Sequence, residues 1–240
     1  MSHDSIESLL ADMRAAAFRP DDARRFFHAT YTRTTQAVAD EIGRGGFADN
    51  DWVGRWDLAF ADLYLAALND PPEHGPWKVA FDTAAREPGL PPVRQVLFGM
   101  NAHINYDLPQ AILRVIDEAD FDDEGVLERR LADHRHLDTV LLSRISAEDD
   151  ELSAVSSVSL LDRLLRPFNR SATARFLTES RAKVWRNARA LDRARRDGSY
   201  PERLGELEAL CAERVRDLVA PGQVVLRLAR RGFGVLLPGA

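Results

Sequence analysis

Apolar residues return every three or four positions along almost the whole 240-residue chain. That is the period of an amphipathic helix, not the alternation of a strand. Trp52, Trp56, Ala59, Phe60, Leu63 and Ala67 make one wide apolar face behind Asp and Asn residues suited to capping. Ile6, Leu9, Leu10 and Met13 repeat the pattern upstream, as do Phe27, Tyr31, Thr34 and Val38. The breaks between such stretches are short: "GRGG", "PPEHGP", "PGLPP", "GSYP" and "PG". Short links make consecutive helices antiparallel neighbours around one core. The predicted fold is all-α, a single-domain multi-helix bundle over residues 1–240. Residues 1–19 form a candidate N-terminal extension helix. The tail, 222–240, reads equally as helix or strand pair.

The net charge of −6 argues against a nucleic-acid partner, which needs a basic face. Cys211 is the single cysteine, so an internal disulfide and a multi-cysteine metal site are both excluded. Its expected role is buried filler. No apolar run reaches the roughly 18 residues of a membrane span. The N-terminus does not read as a secretory signal, and the expected location is cytoplasmic. Arg227, Arg230 and Arg231 in the tail are expected to form a solvated basic edge, with no membrane partner. A homodimer is compatible with the sequence.

The stretch "GMNAHINYDLP", Gly99 to Pro109, places polar residues in the middle of an apolar helix expected over about 92–119. At about 100° per residue, Val96, Gly99, Met100, His103, Asp107 and Gln110 share one side; Asn101, Asn105, Leu108 and Ile112 share the other. Both sides are largely apolar, so this helix is expected at the centre of the bundle. His103 and Asp107 are one turn apart and can meet. Gly99, one turn earlier, leaves room for a helix or a ligand. Pro109 has no N–H for the Asn105 carbonyl and its ring crowds it, so a kinked central helix is predicted.

The next helix repeats the spacing. In "LERRLADHRHLDTVLLSRI", Leu127, Leu131, His134, Asp138, Leu141 and Ile145 fall on one face, and His136 falls opposite, towards solvent. Asp62, on the margin of the Trp52/Trp56 face, is a further candidate carboxylate. His28 and His74 are expected to be structural or exposed.

The string "GMNAHINYDLP", with "DLAFADLYLAAL" upstream and "RAKVWRNARAL" downstream, resembles a family of helical actinobacterial proteins of unknown function, over residues 20–215. Small helical proteins of this general kind include polyketide cyclases that close spiroacetal rings. That resemblance implies acid–base ring closure. "HINYD" and "HRHLD" are also similar to the paired H-x-x-x-D/E motifs of zinc-dependent phospholipase C and P1-type nucleases. Those enzymes use an N-terminal tryptophan and a histidine shortly after the first motif; here "AILRVI" follows, and both features are missing.

These observations lead to three expectations. The first is an enzyme acting on a small, largely apolar molecule without a cofactor. His103, Asp107, Asp62, His134 and Asp138 would be the acid–base residues, and Asn101, Asn105, Tyr106, Trp56 and Trp185 would bind substrate. A buried carboxyl holds its proton more tightly, and an Asp fixes the tautomer of a His beside it. The second is a metal-dependent hydrolase with His103, Asp107, His134 and Asp138 holding zinc or a similar divalent ion. The third is a helical binding protein whose polar core only sets register.

Overall fold

Ser5 starts the first helix by accepting a hydrogen bond from the Ser8 amide at its side chain. This is the usual remedy for an unpaired first-turn N–H. In the computed structural model, residues 3–154, 160–219 and 232–240 are described, with side chains for 3–143, 174–219 and 232–240. The helices are α1 (Ile6–Ala15), α2 (Arg24–Gly43), α3 (Asn50–Asn69), α4 (Gly75–Arg86), α5 (Pro92–Ala102), α6 (Leu108–Val115), α7 (Glu124–Ala154), α8 (Leu160–Asp197) and α9 (Tyr200–Val219). A π-turn, His103–Asp107, joins α5 to α6, and a 3₁₀ turn, Asp120–Asp122, precedes α7. The fold is all-α, and the described residues contain no strand.

The α5–α6 segment is the centre of the bundle. It packs against α2, α3, α4, α8 and α9. Its interruption is a π-turn immediately before Pro109, in which the Leu108 N–H reaches back five residues to the His103 carbonyl. Proline cannot give an N–H to the carbonyl four residues back; the chain absorbs this by widening one turn, as π-bulges do. The segment ends at Val115, earlier than the periodicity suggests. Gly99 has the use expected of it, but a helix fills the space: a Cβ there would stand 2.3 Å from Cγ of Phe27 on α2.

Several boundaries differ from the sequence reading. The first helix is no extension, because Leu9 and Met13 lie in the core and the helix packs on α2 and α3. The second begins at Arg24, not at Pro20; Asp22 accepts from the Arg24 amide and pairs with its guanidinium. Residues 232–240 are neither helix nor strand. They run along α8, where the Asn187 amide donates to the Val235 carbonyl and accepts from the Leu237 N–H, both at 2.9 Å. The tail arginines 227, 230 and 231 lie outside the described residues. No helix among the described residues is long and apolar enough to cross a membrane.

Candidate functional site

The widened turn sets the position of His103 and Asp107. His103 Nδ1 lies 2.8 Å from Asp107 Oδ2, and the same oxygen accepts the Trp77 indole N–H from α4, also at 2.8 Å. Both side chains are buried. Trp77 can only donate, so one proton is shared between His103 and Asp107. We assign it to Nδ1, which leaves the lone pair on Nε2. Nε2 itself is buried and has no hydrogen-bond partner.

Aromatic rings enclose this imidazole. Phe60 of α3 lies flat on it, with centroids 3.5 Å apart and planes 4° apart. Tyr31 stands edge-on at 4.5 Å, and Tyr64, Trp77 and Phe27 complete the surround at 5.8, 5.9 and 6.0 Å. Of these rings Phe60 alone is partly exposed. Burial pushes His103 below the usual imidazole range, against the pull of the Asp107 hydrogen bond. Burial raises Asp107, against the bonds from His103 and Trp77. The first shift favours the neutral imidazole; the second works against the carboxylate, which the two hydrogen bonds it accepts help to keep.

The asparagines occupy the other side of the segment. Asn101 donates to the Leu97 carbonyl at 2.9 Å, and Asn105 donates to Asn101 Oδ1 at 3.2 Å. Asn105 Oδ1 is buried without a partner. Tyr106, half-buried, directs its hydroxyl to Glu208 at 3.5 Å.

His134 is buried and His136 is partly exposed, on Glu41 at 2.9 Å. His134 lies against the Trp56 ring at 5.4 Å and beside Trp185 at 5.6 Å. Its Nε2 is unpartnered, and burial holds it well below the usual range. So each motif histidine rests on an aromatic ring of α3, one turn apart at Trp56 and Phe60. The carboxylates do not follow the same plan. Asp138 pairs with the buried Arg181, whose guanidinium also donates to the His134 carbonyl at 2.8 Å. Asp62 turns to the N-terminal segment and meets His3 at 2.8 Å.

The four residues expected to hold a metal are therefore not assembled. Among the described residues, no three His, Cys, Asp or Glu side chains come together as a metal-binding group. Cys211 is buried, and burial raises its thiol well above the ordinary value. Free nucleophilic thiolate is disfavoured there.

Three buried carboxylates escaped the sequence reading. Asp192 pairs with Arg195 and Arg196 of its own helix. Asp133 accepts the Ala48 and Asp49 amides at 2.7 and 3.0 Å, tying the loop before α3 to α7. Asp57 is buried one turn before Phe60, its Oδ2 has no partner, and burial pushes its carboxyl up to about 7. Asp57 had a signal: it follows Val53 by four residues and precedes Ala61 by four, squarely on the apolar stripe.

Comparison with known proteins adds one finding. A family model described as "Family of unknown function (DUF5995)" matches residues 4–221. No curated protein and no solved structure matches the chain.

Proposed function

The chain belongs to the family of unknown function DUF5995, and we propose that it is an acid–base enzyme for a small, largely apolar substrate. His103 is its base, and Asp107 orients and charge-balances that base. The observation that carries this reading is the unshared Nε2 of His103 inside its aromatic surround. A buried polar atom without a partner costs about 1–3 kcal/mol. A substrate O–H supplies the missing donor.

Asp107 fixes the Nδ1–H tautomer and stabilises the imidazolium that forms when Nε2 takes a proton. The aromatic rings keep water away, so the charge of Asp107 acts strongly on its neighbour. A fitting reaction is addition of a hydroxyl to a carbonyl. The hydroxyl proton passes to Nε2 as its oxygen bonds the carbonyl carbon. The C=O π pair moves to the carbonyl oxygen, which takes up one proton and becomes the hydroxyl of a hemiketal, while Nε2 gives up the proton it received, so no net proton is gained or lost. Ring closure of a polyketide-like hydroxy-ketone towards a spiroacetal, implied by the cyclase resemblance, is of this type. Phe60 is the proposed door, being the partly exposed ring over His103.

The test uses 5-hydroxypentan-2-one, whose open and ring forms interconvert, with the rate read by NMR exchange spectroscopy. The wild-type protein accelerates the exchange. Asp107→Asn keeps the fold and loses the acceleration, because its amide oxygen still accepts from Trp77 and Nδ1–H but carries no charge to stabilise the imidazolium. His103→Gln loses it also. An Asp107→Asn protein as fast as wild type removes the site. Elemental analysis runs in parallel: stoichiometric zinc in the wild type, absent from both variants, assigns the pair to a metal instead.

A further inference from the structure

The acid–base reading leaves part of the same interior unused. The Tyr31 hydroxyl, the Thr35 hydroxyl and Asp57 Oδ2 are all buried without a hydrogen-bond partner. Their residues are only 6%, 0% and 8% exposed. Tyr31 and Thr35 are one turn apart on α2, and Asp57 faces them from α3. Across α2 and α3, His28 meets Tyr64 and the Tyr31 ring meets Phe60, so the next turn of the two antiparallel helices sets Thr35 opposite Asp57. The Tyr31 ring touches both members of the stack described above, standing 4.5 Å from His103 and 5.9 Å from Phe60. Tyr31 therefore borders the His103 imidazole on the α2–α3 side, and Thr35 and Asp57 continue from it along the same two helices.

Leaving three such groups unsatisfied is expensive at about 1–3 kcal/mol each, and native interiors rarely do so without a ligand or water to fill the gap. Two hydroxyls and a carboxyl share one chemistry when the carboxyl is protonated: each can donate to an oxygen. Burial keeps Asp57 in that form up to about neutral pH. Donors collected around one point stabilise a carbonyl oxygen as it gains charge.

We propose that Tyr31, Thr35 and Asp57 are the oxygen-binding half of the site, receiving the carbonyl oxygen of a small ketone opposite His103, with Asp57 as proton donor to that oxygen. The proton-transfer part rests on the acid–base reading above; the binding part does not. In the hydroxyl addition, the Asp57 proton goes to the carbonyl oxygen while the substrate hydroxyl proton goes to His103 Nε2. Exchange with water returns one proton to Asp57 and takes one from His103, so the site is restored.

The test compares binding of cyclohexanone with that of methylenecyclohexane, its oxygen-free counterpart. Binding is followed by indole N–H shifts in NMR spectra of the intact protein, and thermal melts confirm the fold of each variant. Wild type prefers the ketone. Tyr31→Phe and Asp57→Leu each reduce the preference about three- to tenfold, the worth of one hydrogen bond. Asp57→Asn keeps the preference, because an amide still donates, but slows the 5-hydroxypentan-2-one exchange. His103→Gln keeps the preference too. A wild type that binds both probes equally overturns the oxygen site, as does a preference that survives both Tyr31→Phe and Asp57→Leu. If the preference holds while His103→Gln leaves the exchange rate unchanged, the oxygen site stands and the acid–base reading falls.

Discussion

A carboxyl shut away from water keeps its proton, and Asp57 shows what that does to stability. Its pKa rises from 3.8 unfolded to about 7 folded. A raised folded value means the native state binds the extra proton, so its contribution is fully present below 3.8 and is lost as pH rises towards 7. The shift corresponds to about 4 kcal/mol as an upper bound. Asp57→Asn carries no such loss. Its stability relative to wild type should grow between pH 4 and 7 and level off above, as read by urea unfolding; a constant difference would contradict the burial argument. Gly99→Ala should act the other way, costing about 1–3 kcal/mol by overpacking against Phe27. A variant melting at the wild-type temperature would show that Phe27 can move aside freely. Residue by residue, the sequence was readable where partners are local. His103 and Asp107 meet as their spacing suggests. His134 and Asp138 have the same spacing and do not, because Arg181, far along the chain, takes the carboxylate. No local pattern announces such a competitor. Asp57 was legible from its stripe, whereas the choice of Asp62 gave weight to a margin position that His3 occupies.

At the scale of elements, the π-turn is closed by the backbone itself, whereas the break before α3 is repaired by a side chain from elsewhere. The loop before α3 leaves the Ala48 and Asp49 amides unpaired, and Asp133 of α7 takes both. Asp133→Ala should cost about 1–2 kcal/mol, since two partly exposed amides lose a buried side-chain acceptor. Hydrogen exchange should speed at those amides first; equal loss of protection throughout the molecule would mean that Asp133 acts on global stability alone. Helix type was legible in nearly every segment because the apolar period is strong. Helix ends were not, because Asp22 and Asp133 set them through contacts that periodicity does not record. The π-turn was half legible: Pro109 announces a disturbance, but whether a helix bends or widens depends on what packs against it.

Across the whole molecule, buried imidazoles and buried carboxyls oppose each other. Burial lowers His28, His103 and His134, and raises Asp57 and Asp107. For the histidines the folded value is depressed, so their stability is present above the unfolded 6.5 and is lost as pH falls. The carboxyls act in the opposite sense. Below pH 6.5 the histidines and the carboxyls oppose each other, and between about 6.5 and 7 Asp57 dominates. Stability should therefore fall as pH rises from 6.5 through 7, by up to about 1.4 kcal/mol per pH unit while Asp57 releases its proton. Denaturant midpoints at pH 6.5, 7 and 8 check this; a midpoint that does not fall would mean that Asp57 is not held protonated. The all-helical architecture was legible because one period runs through the chain. The docking of α1 and of residues 232–240 was not, because both depend on faces that α2, α3 and α8 present only once folded.

The turn at His103–Asp107 also makes the chain intolerant of losing a single residue there. A π-turn is an α-helix holding one residue too many. Deleting Asn105 would ordinarily let the helix close up and rotate everything upstream by about 100° relative to everything downstream. Here the ring of Pro109 collides with the carbonyl four residues back in a closed helix, so the shortened chain can neither close nor stay wide. Losses of one residue should be absent between Ala102 and Pro109 in any related chain that keeps the proline. Those that have also exchanged the proline should carry their histidine on a different face.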